Sequence, residues 1–379
     1  MSGGALIRED LSEIFLGIED PRIDRNKIYP LGEILFLVLV GAIAGVESWR
    51  GLELVGNELL IFLRRYLPYE HGICSHQTIS RVFSLMPPKN FELVIASMMA
   101  KLFPGQDRDI IAIDGKTLKG SANKAQGVPA LHILNAWAVR NGISLAQLAV
   151  GSKTNEITAM PEIIDMLDVK GATVTSDALN CQKEIAEKLT KSGADYVLAL
   201  KGNHPQLYKT VVSKFEEELP AETKETFYQT TEKGHGRIET RSYYSAEAGN
   251  WIPNWSEWCN LKSIGIVMSD VYKQGTNSAQ VRFFLCSFSP DASRLAEAVR
   301  GHWGVENGLH WVLDVVFKED ASQKRTDHAP RNFSLVRKMA LNLLKLDKTK
   351  GRTGPMKRIK AAMNQEYLAQ ILQPLAGFK

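Results

Sequence analysis

The chain has 379 residues, which exceeds the size of one ordinary domain, so we expect two or three domains. Hydrophobic residues make up 44% and charged residues 23%, the balance of a soluble globular protein, which excludes a disordered chain. The net charge of +4 is uneven, because residues 324–360 contain 12 Lys and Arg against two acids. A basic segment on a mildly acidic body favours a polyanionic partner. The competing interpretation is a solvated helical face.

The N-terminal region carries no signal-peptide pattern, and its apolar run is short. Residues 34–46 form this run, which is shorter than the roughly 18 residues that indicate a membrane span. We therefore predict a buried helix there and no association with a membrane. The four cysteines are widely spaced, which disfavours structural zinc and a disulfide framework and favours a reducing cytoplasm.

The first hundred residues predict a helical N-terminal domain over residues 1–103. Residues 31–46 form one apolar block, residues 49–66 carry apolar side chains at helical spacing, and residues 91–102 follow a Pro-Pro break. Ser75 is placed to cap a helix that begins at His76. One interpretation of this domain is DNA binding through a helix-turn-helix-like element.

Strands and helices alternate in the second predicted domain, residues 104–379. Strand-like runs lie at 109–114, 131–139 and 143–150, and Asn141–Gly142 between the last two is a hairpin signal. Helices at 154–167, 181–192 and 205–219 then alternate with strands at 172–176 and 196–200. This order indicates an α/β fold with three antiparallel strands followed by parallel strands that are joined by helices.

Residues 221–290 differ in composition and predict a β-rich insertion. They are rich in Thr, Tyr, Trp and Val, with Gly, Asn and Pro between the runs. Strands are predicted at 227–230, 237–245, 261–271 and 281–287. Helices resume after Asp291, which can cap the next helix, and continue at 333–346 and 356–372 as a basic helical C-terminal part.

Two aspartates share one layout. Asp114 and Asp177 each end an apolar strand and precede a small residue. A carboxylate at the carboxyl end of a strand points into the crevice where open α/β sheets hold ligands, so adjacent strands would bring both acids together. Two such anions repel unless a cation lies between them, and Mg²⁺ takes carboxylate oxygens as ligands. The alternative is that Asp114 is a turn residue and Asp177 a helix N-cap.

A third segment, residues 300–314, carries ionisable groups at four-residue spacing. His302, Glu306 and His310 then share one helical face, and Asp314 continues the line. A single transition-metal site made from the first three is disfavoured, because they span about 12 Å along a straight helix. We expect this helix to lie across an active-site crevice.

Three segments carry a family resemblance. They are Ala-Ile-Asp-Gly-Lys-Thr at 112–117, Thr-Ser-Asp-Ala-Leu-Asn-Cys-Gln-Lys at 175–183, and His-Trp-Gly-Val-Glu-Asn with Leu-His-Trp at 302–311. Supporting matches lie at 155–158, 200–203 and 235–239. The sequence resembles the insertion-sequence DDE transposases, and most closely the H-repeat-associated group, over nearly its whole length.

The resemblance implies an RNase H-like mixed sheet with helices on both faces and the β-rich insertion before the last catalytic helix. It also implies that Asp114, Asp177 and Glu306 bind Mg²⁺ or Mn²⁺, expected as two ions. The implied partners are double-stranded DNA, both the element's terminal inverted repeats and the target, and a second copy of the chain on that DNA. The implied location is the bacterial cytoplasm, with the protein on the nucleoid when it is bound to DNA.

The chain departs from a related signature, Tyr-x2-Arg-x3-Glu-x6-Lys, which would need Arg at 302 and Lys at 313. His302 and Leu313 stand there instead. The candidates for DNA contacts are Lys201, Arg237, Arg241, His302 and His310. Each is also interpretable as an ordinary surface charge or, for His310, as a structural histidine or a residue that orients Glu306.

Several other residues have weaker assignments. Glu156 and Glu239 are reserve carboxylates, and Gln182 is placed to reach flanking DNA. Trp303 and Trp311 are candidates for stacking on a flipped base, although their helical spacing favours core packing.

The predicted function is metal-dependent cleavage of DNA at each end of an insertion sequence, followed by strand transfer of the freed 3′-hydroxyl to target DNA. Two alternatives stay open. One is an RNase H-like nuclease without strand transfer, and the other is a catalytically silent DNA-binding protein derived from a transposase.

Overall fold

The computed structural model describes residues 15, 17–103, 109–150, 156–217, 226–234, 236–349 and 353–376. Thr154, where a helix was predicted to begin, lies outside these ranges, as do Asn155 and His235 of the supporting matches. Nine strands form one mixed sheet, in the order β3-β2-β1-β4-β5-β9-β8-β7-β6. The strands are β1 (Ile110–Leu118), β2 (Leu131–Ala138), β3 (Ile143–Val150), β4 (Thr173–Ser176), β5 (Asp195–Leu200), β6 (Phe227–Gly234), β7 (Arg237–Glu247), β8 (Ser263–Lys273) and β9 (Thr276–Cys286).

The first five strands have the predicted connectivity. β1, β2 and β3 are antiparallel neighbours, and Gly142 in the β2–β3 turn has a positive φ of 66°, which glycine adopts without strain. β4 pairs parallel to β1, and β5 pairs parallel to β4. The predicted RNase H-like α/β fold class is confirmed.

The β-rich insertion continues this same sheet. β9 pairs antiparallel with β5, and β8, β7 and β6 follow outward as antiparallel neighbours. β6 is the edge strand, and most of its side chains are exposed. The four strands lie close to the predicted ranges. They extend the sheet outward from β5.

Helices lie on both faces of the sheet. They are α1 (Leu31–Ile43), α2 (Trp49–Glu58), α3 (Leu60–Leu63), α4 (His76–Leu85), α5 (Pro88–Leu102), α6 (Glu156–Asp165), α7 (Lys183–Lys191), α8 (Pro205–Glu217), α9 (Ala292–Val305), α10 (Trp311–Val315), α11 (Ala329–Leu346), α12 (Gly354–Met363) and α13 (Gln365–Leu372). Ser75 caps α4 and Asp291 caps α9, as predicted. α9 packs against Val197 and Phe284 on one face, while α6, α7 and α8 pack against residues such as Ile113 and Leu198 on the other.

The N-terminal and C-terminal helices share one hydrophobic core. α1 is buried on all sides, which confirms the predicted buried helix, and it packs against α11. Trp49 of α2 contacts Phe333 of α11 edge to face, with ring centroids 5.4 Å apart. Within the described ranges, the structure contains no helix with the length and apolar character needed to cross a membrane.

The basic segment, residues 324–360, turns much of its charge inward. Five of its cations are buried, namely Lys324, Arg337, Lys338, Lys357 and Arg358. Arg337 and Arg358 reach the Glu47 carboxylate at 2.8 and 3.2 Å. For these five residues, both interpretations of the segment, a polyanion-binding surface and a solvated face, are wrong. A count of charges along the chain cannot distinguish solvated cations from cations that are paired across the core.

Candidate active site

Asp114 and Asp177 lie side by side on neighbouring parallel strands. In the β1–β4 register Ile113 pairs with Ser176, and each aspartate is the next residue along the chain. The sequence predicted this arrangement for adjacent strands. One detail differs, because β1 continues to Leu118, so Asp114 lies within a strand and is not a turn residue. The strand continues because β2 still pairs with it beyond the end of β4.

Asp177 is held by donors from the turn that follows it. Its Oδ1 accepts hydrogen bonds from the backbone N–H groups of Leu179 and Asn180, at 3.2 and 3.4 Å, and from Asn180 Nδ2 at 3.2 Å. Asp177 therefore caps the short helical turn Ala178–Asn180, as the alternative interpretation predicted. A capping role and a place in the cleft coexist in this one side chain.

Asp114 has an abnormal acidity. Burial raises its pKa to about 7, and although the Gly115 N–H opposes this, the carboxylates of Asp177, Glu156 and Glu306 raise it further. Three other carboxylates are thus close enough to disfavour ionisation of Asp114. This is the electrostatic situation that a bound cation would relieve.

Glu306 lines the same cleft and comes from a helical segment. It begins a π-helical turn, Glu306–His310, that joins α9 to α10. The cleft has a volume of about 270 Å³ and contains all three acids. Its other lining residues include Thr175, Lys201, Arg282, His302 and Trp303. The helix therefore lies across the crevice as predicted, although with one wider turn in place of a straight α-helix.

The two histidines of this helix are both neutral near pH 7. Burial lowers the pKa of His302 to about 4 despite the neighbouring Asp177, and its Nδ1 lies 3.0 Å from Thr175 Oγ1. Burial, with Lys116 and Lys338, also lowers the pKa of His310 to about 4. His310 Nδ1 lies 3.6 Å from Asp114 Oδ2. Neither imidazole supplies a positive charge for phosphate, and both are placed to contact acids or strands of the cleft.

The cationic candidates separate into two groups. Lys201, at the end of β5, lines the cleft. Arg237 and Arg241 lie on β7 and pair with Glu239 at 3.3 and 2.5 Å, away from the cleft lining. Glu239 is accordingly part of an ion-pair cluster on the insertion. The reserve carboxylate that the structure brings to the acidic pair is Glu156.

Trp303 and Trp311 are exposed by 43% and 55%, so the favoured expectation of core packing is wrong for both. The buried stripe of this helix consists of Val305, Leu309 and Leu313. Trp303 lines the cleft with the guanidinium of Arg282 at 5.2 Å from its ring.

Gln182, which follows the turn after Asp177, donates a hydrogen bond of 3.3 Å to the Leu179 carbonyl oxygen.

Sequence reasoning missed Arg282 and Asn180. Arg282 stands in β9, and its place in the cleft lining depends on the β5–β9 pairing, which no local pattern reveals. An arginine within an apolar strand was the available signal. Asn180 lies inside the 175–183 segment, but its hydrogen bond to Asp177 has no signal in the sequence.

The donor set is suited to a hard cation. Carboxylate oxygens are the ligands that Mg²⁺ and Mn²⁺ prefer, and the cleft offers three of them beside a cationic wall. Among the described residues, no three His, Cys, Asp or Glu side chains already lie close enough together to hold one ion.

A five-stranded β3-β2-β1-β4-β5 core with acids at its centre defines an RNase H-like protein. The chain belongs to the DDE transposase family. The family model described as "Transposase DDE domain" matches residues 105–343, and the model described as "DDE_Tnp_1-associated" matches residues 12–99. It is 37% identical over 349 residues to a protein of Escherichia coli K12 named "H repeat-associated putative transposase YhhI", covering 91% of this chain and 92% of that protein. It is 38% identical over 362 residues to "Putative transposase YncI" of Escherichia coli O157:H7, covering 94% and 92%.

A solved structure, the piggyBac transposase synaptic complex with hairpin DNA, aligns with a TM-score of 0.41 and 10% identity. The alignment covers 98% of this chain and 78% of that one.

Proposed function

We propose that this transposase cleaves DNA at the ends of an insertion sequence and transfers the freed strand to target DNA, with Asp114, Asp177 and Glu306 as its metal-binding triad. The observation that carries the proposal is the convergence of the three acids in one cleft, where burial and mutual repulsion raise the pKa of Asp114 to about 7. Carboxylates that line one cleft and disfavour the ionisation of a buried neighbour favour a divalent cation.

Mg²⁺ or Mn²⁺, as a pair of ions, would supply an activated water on one side of a phosphodiester and stabilisation of the leaving oxygen on the other. The protein's own residues position the DNA. Lys201 and Arg282 place positive charge on the cleft wall and are the proposed contacts for the scissile strand's phosphates. To reach DNA, Arg237 would exchange its ion pair with Glu239, and Arg241 would exchange its ion pairs with Glu239 and Glu232.

The two neutral histidines have positioning roles in this proposal. The His302 imidazole is hydrogen-bonded to the Thr175 hydroxyl on β4. Like Glu306, His302 lines the cleft. His310 lies against Asp114 and limits the rotation of that carboxylate. Trp303, exposed at the cleft, is a stacking surface for an unpaired base.

The proposed partners are the element's terminal repeats, target DNA and a second copy of the chain on that DNA. Two element ends must be held together for joining, which supports a dimer. The proposed setting is the bacterial cytoplasm and nucleoid.

The test is cleavage of a labelled duplex that carries the element's own end, with Mg²⁺ or Mn²⁺. Wild type is compared with Asp177→Asn and Glu306→Gln, and with Glu297→Gln, an exposed acid of α9 outside the cleft lining, as the control. Metal-dependent nicking that both cleft variants lose and the control retains supports the triad. Equal nicking by all four proteins would overturn it.

The same reactions separate the two alternatives. Joined donor–target products support strand transfer, and nicks without joined products indicate a nuclease. Specific binding by the wild type without any cleavage in either metal indicates a catalytically silent DNA-binding protein.

A further inference from the structure

A line of four polar side chains leads from the far end of β1 to Asp177. Thr117 Oγ1 lies 2.9 Å from His132 Nδ1, and His132 Nε2 lies 2.6 Å from Glu156 Oε1. Asn180 Nδ2 then donates to Glu156 Oε2 at 3.3 Å and to Asp177 Oδ1 at 3.2 Å. These residues come from β1, β2, α6 and the turn after β4, so the line ties four separate elements to one acid.

The orientation of the Asn180 amide follows from its neighbours. Carboxylates only accept hydrogen bonds, and Nδ2 has two hydrogens, one for each of the two acids. The reverse orientation would set Oδ1 against two anions. Asn180 is fully buried, and among the described residues its Oδ1 finds no donor. The amide is therefore held by the two hydrogen bonds that Nδ2 donates to Glu156 and Asp177.

The line leaves the two oxygens of Asp177 in different states. Every hydrogen bond that the described residues donate to Asp177 goes to Oδ1, from Leu179, from the Asn180 backbone and from the Asn180 side chain. Oδ1 is thereby anchored, and Oδ2 stays available. A carboxylate that is anchored at one oxygen presents the other in a defined direction, as supporting residues do around metal ligands.

Glu156 has both oxygens occupied, one by His132 and one by Asn180. Because both oxygens already have partners, Glu156 differs from a carboxylate that is available to bind a metal ion. The contact is also built closely against the backbone, because a Cβ at Gly115 would lie 2.4 Å from Glu156 Oε1 and 2.5 Å from His132 Nε2. The pair thus fits only over a glycine, next to Asp114.

We infer that Asn180 is a positioning residue for Asp177 and that Glu156, backed by His132, holds Asn180 without itself being a ligand. The inference rests on the proposed function, since it concerns how one proposed ligand is oriented. It makes hydrogen bonding, and not negative charge, the requirement at position 156.

The test measures Mn²⁺ affinity by the electron paramagnetic resonance signal of free Mn²⁺, alongside the melting temperature of each variant. We expect Asn180→Ala to raise the Mn²⁺ dissociation constant about 10- to 100-fold and to lower kcat for cleavage with little change in KM for DNA. The matched control is Asn332→Ala, which removes another fully buried asparagine with an unpaired Oδ1 and two donated hydrogen bonds, far from the cleft. It should lower the melting temperature and leave Mn²⁺ affinity unchanged.

Two variants at position 156 keep the test decisive if Asn180→Ala fails to fold. Glu156→Gln can still accept from Asn180 and should bind Mn²⁺ almost as wild type does, while Glu156→Ala should lose affinity as Asn180→Ala does. Equal loss in both would make Glu156 a ligand and overturn its supporting role. Unchanged affinity in Asn180→Ala and Glu156→Ala would overturn the positioning inference alone. If Asp177→Asn also binds Mn²⁺ as wild type does, the proposed triad itself fails.

Discussion

Gly115 occupies the most constrained backbone position of the cleft. It follows Asp114 on β1, and the His132–Glu156 pair lies directly over its Cα. A methyl group there would meet both side chains far inside normal contact distance. Since close-packed interiors transmit such displacement, the effect of a substitution should appear at the neighbouring acids.

We predict that Gly115→Ala lowers the rate of DNA cleavage by at least about 10-fold, because small misplacements of catalytic groups are costly. The measurement is the single-turnover rate on an element-end duplex. Gly234→Ala is the control, because a Cβ there meets no atom of the described residues within 4 Å. Full activity in Gly115→Ala would mean that the His132–Glu156 pair can move without consequence for the site.

At the scale of single elements, the π-helical turn Glu306–His310 decides which residues face the cleft. A π-turn holds one more residue than an α-turn, so it changes the register between α9 and α10. Val305, Leu309 and Leu313 remain buried across it, while Trp303 and Trp311 stay outside. The four-residue spacing of His302, Glu306 and His310 predicted a helix, but it did not predict the π-helical turn.

Deletion of Asn307, an exposed residue of this turn, should restore α-helical register and rotate everything after it by about 100°. We expect the variant to lose cleavage, because His310 would leave Asp114 and Leu309 would leave the core. Circular dichroism checks that helix content is retained, and Asn307→Ala, which removes the same side chain but keeps the residue, serves as the control. A deletion variant with the cleavage rate of Asn307→Ala would show that the π-turn is dispensable.

Most individual elements were predictable from the sequence, because alternating or helical apolar patterns mark each one. Asp114 and Asp177 were predictable as a pair, since each comes at the end of an apolar run of residues. Local patterns could not predict which residues distant in sequence contact one another in the fold. Arg282 reaches the cleft through the β5–β9 pairing, and Glu92 pairs with Arg331 from the other end of the chain. Such contacts depend on tertiary packing, which a single sequence does not display.

At the scale of the whole molecule, the helices before residue 103 and those after residue 329 form one core. The predicted boundary at 103/104 therefore runs through shared packing between α1 and α11. The surfaces between separable domains are usually smaller and more polar than the apolar packing between α1 and α11. The division into an N-terminal and a catalytic domain stays a prediction, and it has a direct thermodynamic test.

We predict that the full chain unfolds in one cooperative transition and that a fragment of residues 104–379 does not reach a stable fold. Each large apolar side chain left uncovered costs about 2 kcal/mol, against a usual total stability of roughly 5–15 kcal/mol. Calorimetry of the full chain and of the fragment measures both. Two separate transitions, one of them reproduced by the fragment, would establish independent domains.

A buried charge network links β1 to α11 and centres on Glu319. Its Oε2 accepts from Lys116 at 2.7 Å and its Oε1 from Ser334 at 2.7 Å. Burial alone would raise the pKa of Glu319, but Lys338, Lys116 and Arg337 outweigh it and lower the pKa to about 2. Because this value lies below that of the unfolded chain, the carboxylate stabilises the fold above about pH 4.5, and the contribution is lost as the pH falls through 2.

Glu319→Gln should therefore reduce the free energy of unfolding by about 3 kcal/mol near pH 7, since it leaves buried cations without their partner. Urea denaturation at about pH 7 and about pH 3 should show the difference from wild type falling to roughly half. The exposed Glu297→Gln should change little at either pH. A difference that is constant across this range would mean that the lost stability is not electrostatic.

The ribosome releases α1 about 300 residues before it completes the start of α11. At roughly 5–20 residues per second, the apolar helix waits for about 15–60 s without its partner. During that interval Phe36 and its neighbours are open to chaperones and to other nascent chains. A gene copy interrupted before the codon for Ala329 is therefore expected to yield aggregated or degraded product, and to leave no stable N-terminal fragment in the cell.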